Sequence, residues 1–294
     1  MKHHRSACFT LFLAALASAA AVTLPGATTE GAAFRPVPDL QAGFSLLYEQ
    51  KFPEARERFA GWSTKNPGDP FGDVSLAASY LFEEFYRQGI MTSDYFLDDR
   101  RFLHGIVGEP DAGRLRAFHE ALARARQAAK HRLKKNPADD EALFALTLSA
   151  GMQSNALSIL EKKQFDALRM IKEADRYAER LLTVRPDASD AWLALGSANY
   201  IIGSLSGTLR FFLWFGGIHG DRDLGMQQLG KTAAGGRYLR PYAKILLALA
   251  ARREGQEDLA RRLLGELTRE FPNSPLFAAE YARVADRPIP AVSR

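Results

Sequence analysis

The 294-residue sequence contains a single cysteine, Cys8, so no intramolecular disulfide can staple the fold. No run alternates apolar and polar residues between turn signals for more than a few positions, and β-structure is therefore not expected. Beyond the first 24 residues no apolar stretch reaches a membrane span. The most apolar, Leu209 to Ile218, is about half of one and contains Arg210 and two glycines. Charge of one sign is also scarce: 39 basic residues stand against 34 acidic ones, interspersed, for a net charge of +5. That pattern excludes the basic stripe of a nucleic-acid binder. Beyond the first 21 residues, histidines at metal-ligand spacing are missing too, since His104, His119, His131 and His219 stand apart, so no metal is expected.

What is present begins with an export-like leader. Lys2, His3, His4 and Arg5 form a positive start, Phe9 to Leu16 an apolar core, and Ala17-Ser18-Ala19 a small-residue cleavage site, with Ala19 to Ala21 as a second option. Phe9 to Leu24 is only about 16 residues long, short of the roughly 20 a spanning helix needs. Residues 1–21 are thus read as a signal peptide, which places the protein in a periplasm or outside the cell. Cys8 precedes the apolar core, whereas a lipoprotein cysteine would follow it. Cleavage would remove it and leave neither a thiolate nor a stable membrane span. Residues 22–38 read as a flexible lead-in, 39–286 as the folded array, and 287–294 as a disordered tail beginning near Pro288 and Pro290.

The organising signal appears on reading backward from Pro67, Pro137, Pro186 and Pro272. Twelve residues before each stands an alanine: Ala55, Ala125, Ala174 and Ala260. Eight before stand Phe59, Ala129, Ala178 and Leu264, and five before stand Trp62, Arg132, Leu181 and Leu267. A small residue lets a second helix approach a first, the later positions continue the same face, and proline ends the helix. Each segment between prolines is therefore a helical hairpin, and the fold class is all-α, an irregular superhelix of hairpins with two insertions. Helices are predicted near 39–49, 53–65, 70–89, 111–135, 139–160, 165–184, 188–203, 221–234, 240–254, 256–270 and 274–285. A regular array would repeat about every 34 residues. All three proline intervals are longer, and the one from Pro186 to Pro272 holds two units.

With Trp192, Leu195 and Gly196 following Pro186, and Gly43 twelve residues before Ala55, the pattern resembles the tetratricopeptide repeat. Lys244, Leu247 and Ala248 take the matching places in the last unit, so the tryptophan and glycine are not kept throughout. Residues 196–247, with Gly196, Asn199, the run Gly216-Gly217-Ile218-His219-Gly220-Asp221-Arg222 and Gly225, are similar to a segment of the mitochondrial inclusion-body-clearance proteins and their animal relatives, the tetratricopeptide repeat protein 39 family. Ser206-Gly207 departs from that family's proline turn. The likeness implies the fold and says little about partners, and the leader argues against the same cellular address.

One motif points elsewhere. Gly225-Met226-Gln227-Gln228-Leu229-Gly230-Lys231-Thr232 satisfies the phosphate-loop pattern letter for letter. That chemistry needs a strand running into the turn and a helix starting at the lysine. Here Asp221 reads as the N-cap of a helix already under way, and Gly235-Gly236 closes it, so no nucleotide is expected. The acidic pairs Glu83-Glu84 and Asp98-Asp99 are candidates for acid–base work only by adjacency. The insertion 85–108 is read as a loop folded over the hairpin ends, or else as the site of an envelope enzyme or enzyme accessory. The second insertion, 203–220, carries Phe211, Phe212, Trp214 and Phe215, which would suit a membrane surface if exposed together.

Stacked hairpins present a concave wall built from their first helices, suited to an extended segment or a helix. The tetratricopeptide resemblance places Phe144, Leu148, Met152, Leu193, Ser197, Tyr200, Ile245, Leu249, Arg252 and Arg253 there. Phe144, Met152, Tyr200, Arg252 and Arg253 are the candidate partner-binding residues: rings and methionine for apolar contact, arginines for a carboxylate. The expected function is an exported, non-catalytic scaffold, without cofactor, that binds a protein or peptide of the cell envelope in an open groove.

Overall fold

The computed structural model describes residues 37–98, 101, 105–215 and 217–285. The leader, residues 22–36 of the lead-in, His104, Asp99 and the tail lie outside the described residues. Among the described residues there is no strand. The helices are α1 (Pro38–Tyr48), α2 (Phe52–Lys65), α3 (Pro70–Arg87), α4 (Ser93–Leu97), α5 (Ala112–Lys135), α6 (Asp140–Asn155), α7 (Gln164–Val184), α8 (Trp192–Gly203), α9 (Gly207–Phe215), α10 (Arg222–Gly235), α11 (Arg240–Arg253), α12 (Glu257–Glu270) and α13 (Pro275–Ala285).

The proline rule operates as the sequence implies. Asn66, Asn136, Arg185 and Phe271 end α2, α5, α7 and α12, each directly before its proline. Each donates its N–H to the carbonyl four residues back, on Trp62, Arg132, Leu181 and Leu267. The residue before proline is pushed out of the helical region, so the helix stops there. New helices then start on side-chain caps, with Asp69, Asp111, Asp139 and Asp221 accepting N–H bonds from Phe71, Arg114, Ala142 and Leu224.

The four spaced alanines, Ala55, Ala125, Ala174 and Ala260, are all buried. They bring α2, α5, α7 and α12 onto α1, α3, α6 and α11, and α10 completes a further hairpin with α8. The result is a tetratricopeptide-like superhelix of five hairpins, α1/α2, α3/α5, α6/α7, α8/α10 and α11/α12, with α13 packed on the last.

The superhelix does not stay open. Tyr48 donates its hydroxyl to the Tyr238 carbonyl at 2.8 Å, and Gln50 accepts from the Ser274 hydroxyl at 2.9 Å. Phe44 meets Tyr238, Tyr48 meets Phe271 and Phe82 meets Tyr242, with ring centroids 5.4, 5.5 and 4.9 Å apart. The first two hairpins therefore rest on the last one. Aromatic side chains on the inner faces of α1, α3 and α11 are large enough to span the centre, and burying them drives closure. In place of the expected continuous open groove, the interior is closed where α1 and α3 meet α11 and opens only at the face of α6, α7 and α8.

The first insertion folds over the hairpin ends. Thr92 caps α4, whose Tyr95 and Phe96 are buried together with Ile90, Met91 and Ile106. Ser93 donates its backbone N–H to Glu280 Oε2 at 3.1 Å, and Arg253 donates to the Phe96 carbonyl at 2.6 Å. In the second insertion α9 leaves Phe211 and Trp214 each 56% exposed.

The phosphate-loop letters lie inside α10. Gly225 rests against the backbone of Tyr200, Lys231 stands over the Trp192 ring at 3.6 Å, and Thr232 donates its hydroxyl to the Ser189 carbonyl at 2.7 Å. All three residues serve packing. Lys231→Ala is expected to lose about 0.5–1 kcal/mol of stability with no change in nucleotide affinity. Thermal melts with and without ATP check this, and ATP-dependent stabilisation of the unsubstituted protein would contradict it.

Candidate functional site

Closure leaves a cavity of about 110 Å³ inside the superhelix, open to solvent on one side. Its floor comes from Phe44 and Tyr48 of α1, Val74, Ala78 and Phe82 of α3, and Tyr242 of α11. Its rim is the partly exposed face of α6, α7 and α8, where Leu148, Met152, Ile171, Asp175, Ala198 and Ile201 stand. Its lining is mainly apolar with a few polar groups, as in many ligand sites.

The first helices line it because of how α8 is rotated. Gly196, Gly203 and Tyr200 face α10: a Cβ added at Gly196 would lie 2.8 Å from the Leu229 nitrogen, and one at Gly225 would lie 2.8 Å from the Tyr200 Cα and closer still to its nitrogen. The glycines let the two helices touch backbone to backbone, which turns Ala194, Ser197, Ala198 and Ile201 toward the cavity. On α6 the corresponding face is Thr147, Leu148, Gly151, Met152 and Asn155.

Of the five candidate residues, Met152 alone lines the cavity. The placement of the other four on an open wall is corrected. Phe144 is 0% exposed and packs its ring on Phe71 at 5.7 Å, because it lies on the side of α6 that faces α3. Tyr200 is buried beside α10 and donates its hydroxyl to Glu254 at 3.3 Å; burial and the Glu254 charge push its phenol up to about 12. Arg252 is buried among Glu257 and Glu280, and Arg253 reaches the Phe96 carbonyl of the first insertion. Ile245 and Leu249 are likewise buried, whereas Leu148, Leu193 and Ser197 do line the cavity.

Two carboxylates belong to the lining, in contrasting states. Asp190 accepts backbone N–H bonds from Arg237 and Leu239, both at 2.9 Å, and so anchors the start of α11. Burial still pushes its pKa up, although those bonds and the nearby Arg237 charge oppose the rise. Asp175 has no such partner among the described residues: its Oδ1 is buried without a hydrogen bond. Burial, with the like charge of Glu179 second, pushes its carboxyl up to about 7. The sequence signal was available, since Asp175 interrupts the apolar stripe Ile171, Ala174, Ala178 and Leu182 on α7.

A carboxyl whose folded pKa exceeds its unfolded value of about 3.9 favours the folded state when protonated. That contribution is complete below about pH 4 and lost as pH rises through about 7. Asp175→Asn is therefore expected to raise the melting temperature at pH 8 relative to the unsubstituted protein, but not at pH 4. Parallel pH profiles for the two proteins would contradict the assignment.

The other acid–base candidates are engaged structurally. Glu84 is buried, and burial alone would raise its pKa. Hydrogen bonds from Gln88, Arg114 and the Asp111 backbone N–H, with the Arg114 charge, outweigh it and hold the carboxyl low. Glu83 pairs with Arg56 at 2.7 Å and Arg114 at 3.1 Å. His119 meets Glu161 at 2.9 Å. Among the described residues no group of three or more histidine, cysteine, aspartate or glutamate side chains could hold a metal.

No protein-family model and no curated protein matches the sequence. Among solved structures, that of a thermophilic TPR protein in Thermus thermophilus is similar at 14% identity, over 84% of this chain and 97% of that one, with a TM-score of 0.44. At that distance the tetratricopeptide-like architecture rests on the hairpins themselves.

Proposed function

We propose that the protein is an exported, non-catalytic helical-repeat scaffold that holds a segment of an envelope protein by seating an apolar side chain in the interior cavity. The observation that carries this reading is the cavity itself: it lies where the first helices of the hairpins converge, and apolar side chains make up most of its lining. Its volume of about 110 Å³ suits one or two side chains and not a whole helix. The signal-like leader supports the periplasmic or secreted address. The kinship of residues 196–247 with the inclusion-body-clearance proteins is part of the same proposal, supported by Gly196 and Gly225 at the α8–α10 contact.

The test uses a labelled amphipathic peptide with a leucine anchor and its leucine-to-serine counterpart. The leucine peptide is expected to bind at least tenfold more tightly, and Ala198→Trp, which fills the cavity from its rim, is expected to abolish the difference without lowering the melting temperature. Equal binding of the two peptides would contradict the proposal.

A further inference from the structure

The cavity rim carries a carboxylate that no described residue answers. Asp175 stands one turn after Ile171 and next to Ala174 on the cavity side of α7, with Oδ1 buried and without a hydrogen-bond donor. Asp190, the other acid in the lining, is occupied by backbone N–H groups. Among the described residues neither lysine, arginine nor histidine contributes to the lining. Elsewhere the chain matches its half-buried acids closely: Glu83 and Glu84 share Arg114, Glu173 takes Arg126, and Asp140 takes Arg185. An orphaned carboxylate at the mouth of an apolar cavity is costly to hold in isolation, because a buried acceptor without a donor forfeits its hydration.

Resting on the reading above, we infer that the seated segment is cationic as well as apolar: a lysine about one helical turn from the anchoring side chain places its ammonium against the unpartnered Asp175 oxygen. A peptide is the fitting source, because the cavity takes one or two side chains while the rim spreads over α6, α7 and α8, which only a longer chain would cover. The net charge of +5 makes the selection local, since the protein as a whole repels a cationic segment. A charge-assisted hydrogen bond in this half-buried position gives specificity that an apolar cavity alone lacks. The raised Asp175 pKa accords with a site that ionises fully when its cation arrives.

The experiment compares three labelled peptides that share a leucine anchor and differ at one position, carrying lysine, glutamine or glutamate, by fluorescence anisotropy at pH 8. The unsubstituted protein is expected to bind the lysine peptide about tenfold more tightly than the glutamine one, and the glutamate one more weakly still. Asp175→Asn is expected to bring the lysine peptide to the affinity of the glutamine peptide while leaving the latter unchanged. Equal affinity of the lysine and glutamine peptides for the unsubstituted protein overturns the inference but leaves the apolar anchor standing, as does a lysine preference that survives Asp175→Asn. Failure of all three to bind overturns both. Hexylamine binding as tightly as the lysine peptide overturns the peptide as occupant.

Discussion

Replacing Arg252 by alanine is expected to cost about 3 kcal/mol of stability, because it takes one of two guanidinium groups from a buried acid that keeps only Arg283, at 3.4 Å. Arg252 is 6% exposed and Glu280 1%. The guanidinium stands 3.9 Å from Glu280 Oε2 and 3.9 Å from Glu257 Oε2. Its Nε and Nη1 make no hydrogen bond, nor does Glu280 Oε1. The charges thus compensate one another across distances too long for strong hydrogen bonds. Removing the arginine leaves the buried Glu280 with Arg283 at 3.4 Å and the Ser93 N–H at 3.1 Å as its remaining partners, whereas removing both sides of the pair leaves no acid to compensate. Arg252→Met combined with Glu280→Met is therefore expected to be more stable than Arg252→Ala alone. Urea unfolding of the three proteins checks this. An Arg252→Ala protein within about 0.5 kcal/mol of the original would show that the cluster contributes nothing.

The second large effect is a contrast within one helix. Gly225→Ala is expected to destabilise the protein by about 3 kcal/mol or more, while Gly230→Ala is expected to stabilise it by about 0.5–1 kcal/mol. A Cβ at position 225 would stand 2.8 Å from the Cα of Tyr200 and closer still to its nitrogen, and backbone cannot rotate away as a side chain can. The α8–α10 contact would have to open. At Gly230 nothing lies within 4 Å of the added atom, so only the gain in helix propensity remains. A phosphate-loop reading makes both glycines obligatory for the same reason; the packing reading gives them opposite signs. Thermal melts of the two variants decide it, and equal losses would contradict the contact.

The hairpins were legible because their signals are local. A proline, the residue before it and an alanine twelve positions earlier all act within one helix, and the structure buries Ala55, Ala125, Ala174 and Ala260 accordingly. The two short helices escaped the periodicity: α4 is five residues long and held by a single cap from Thr92, and α9 follows the Ser206-Gly207 break. Closure of the superhelix was not legible at all. It depends on Tyr48 finding Tyr238 and Gln50 finding Ser274, pairs separated by most of the chain, and no spacing rule connects them.

The candidate site shows the same division. The resemblance put Leu148, Met152, Leu193 and Ser197 on the inner wall, and they are there. It also put Tyr200 there, but the Gly225 contact claims that side of α8, and the cavity face runs through Ala194, Ala198 and Ile201 instead. An error of one to two residues is enough to exchange a wall residue for a core residue on a helix buried along two faces. Arg252 and Arg253 were misplaced for a different reason: the first insertion returns to cover the end of α11, and Phe96 and Glu280 occupy them. Asp175 was visible as a break in an apolar stripe, but only the cavity gives that break a meaning.

Photo-crosslinking tests the interior site most directly. A peptide whose anchoring leucine is replaced by photo-leucine is bound, irradiated, and its attachment points are mapped by mass spectrometry. Attachment to Met152, Ile171, Ala198 or Ile201 is the expected result. Attachment confined to the outward faces of α2, α5 or α12, with the rim residues unlabelled, would contradict a binding site inside the superhelix.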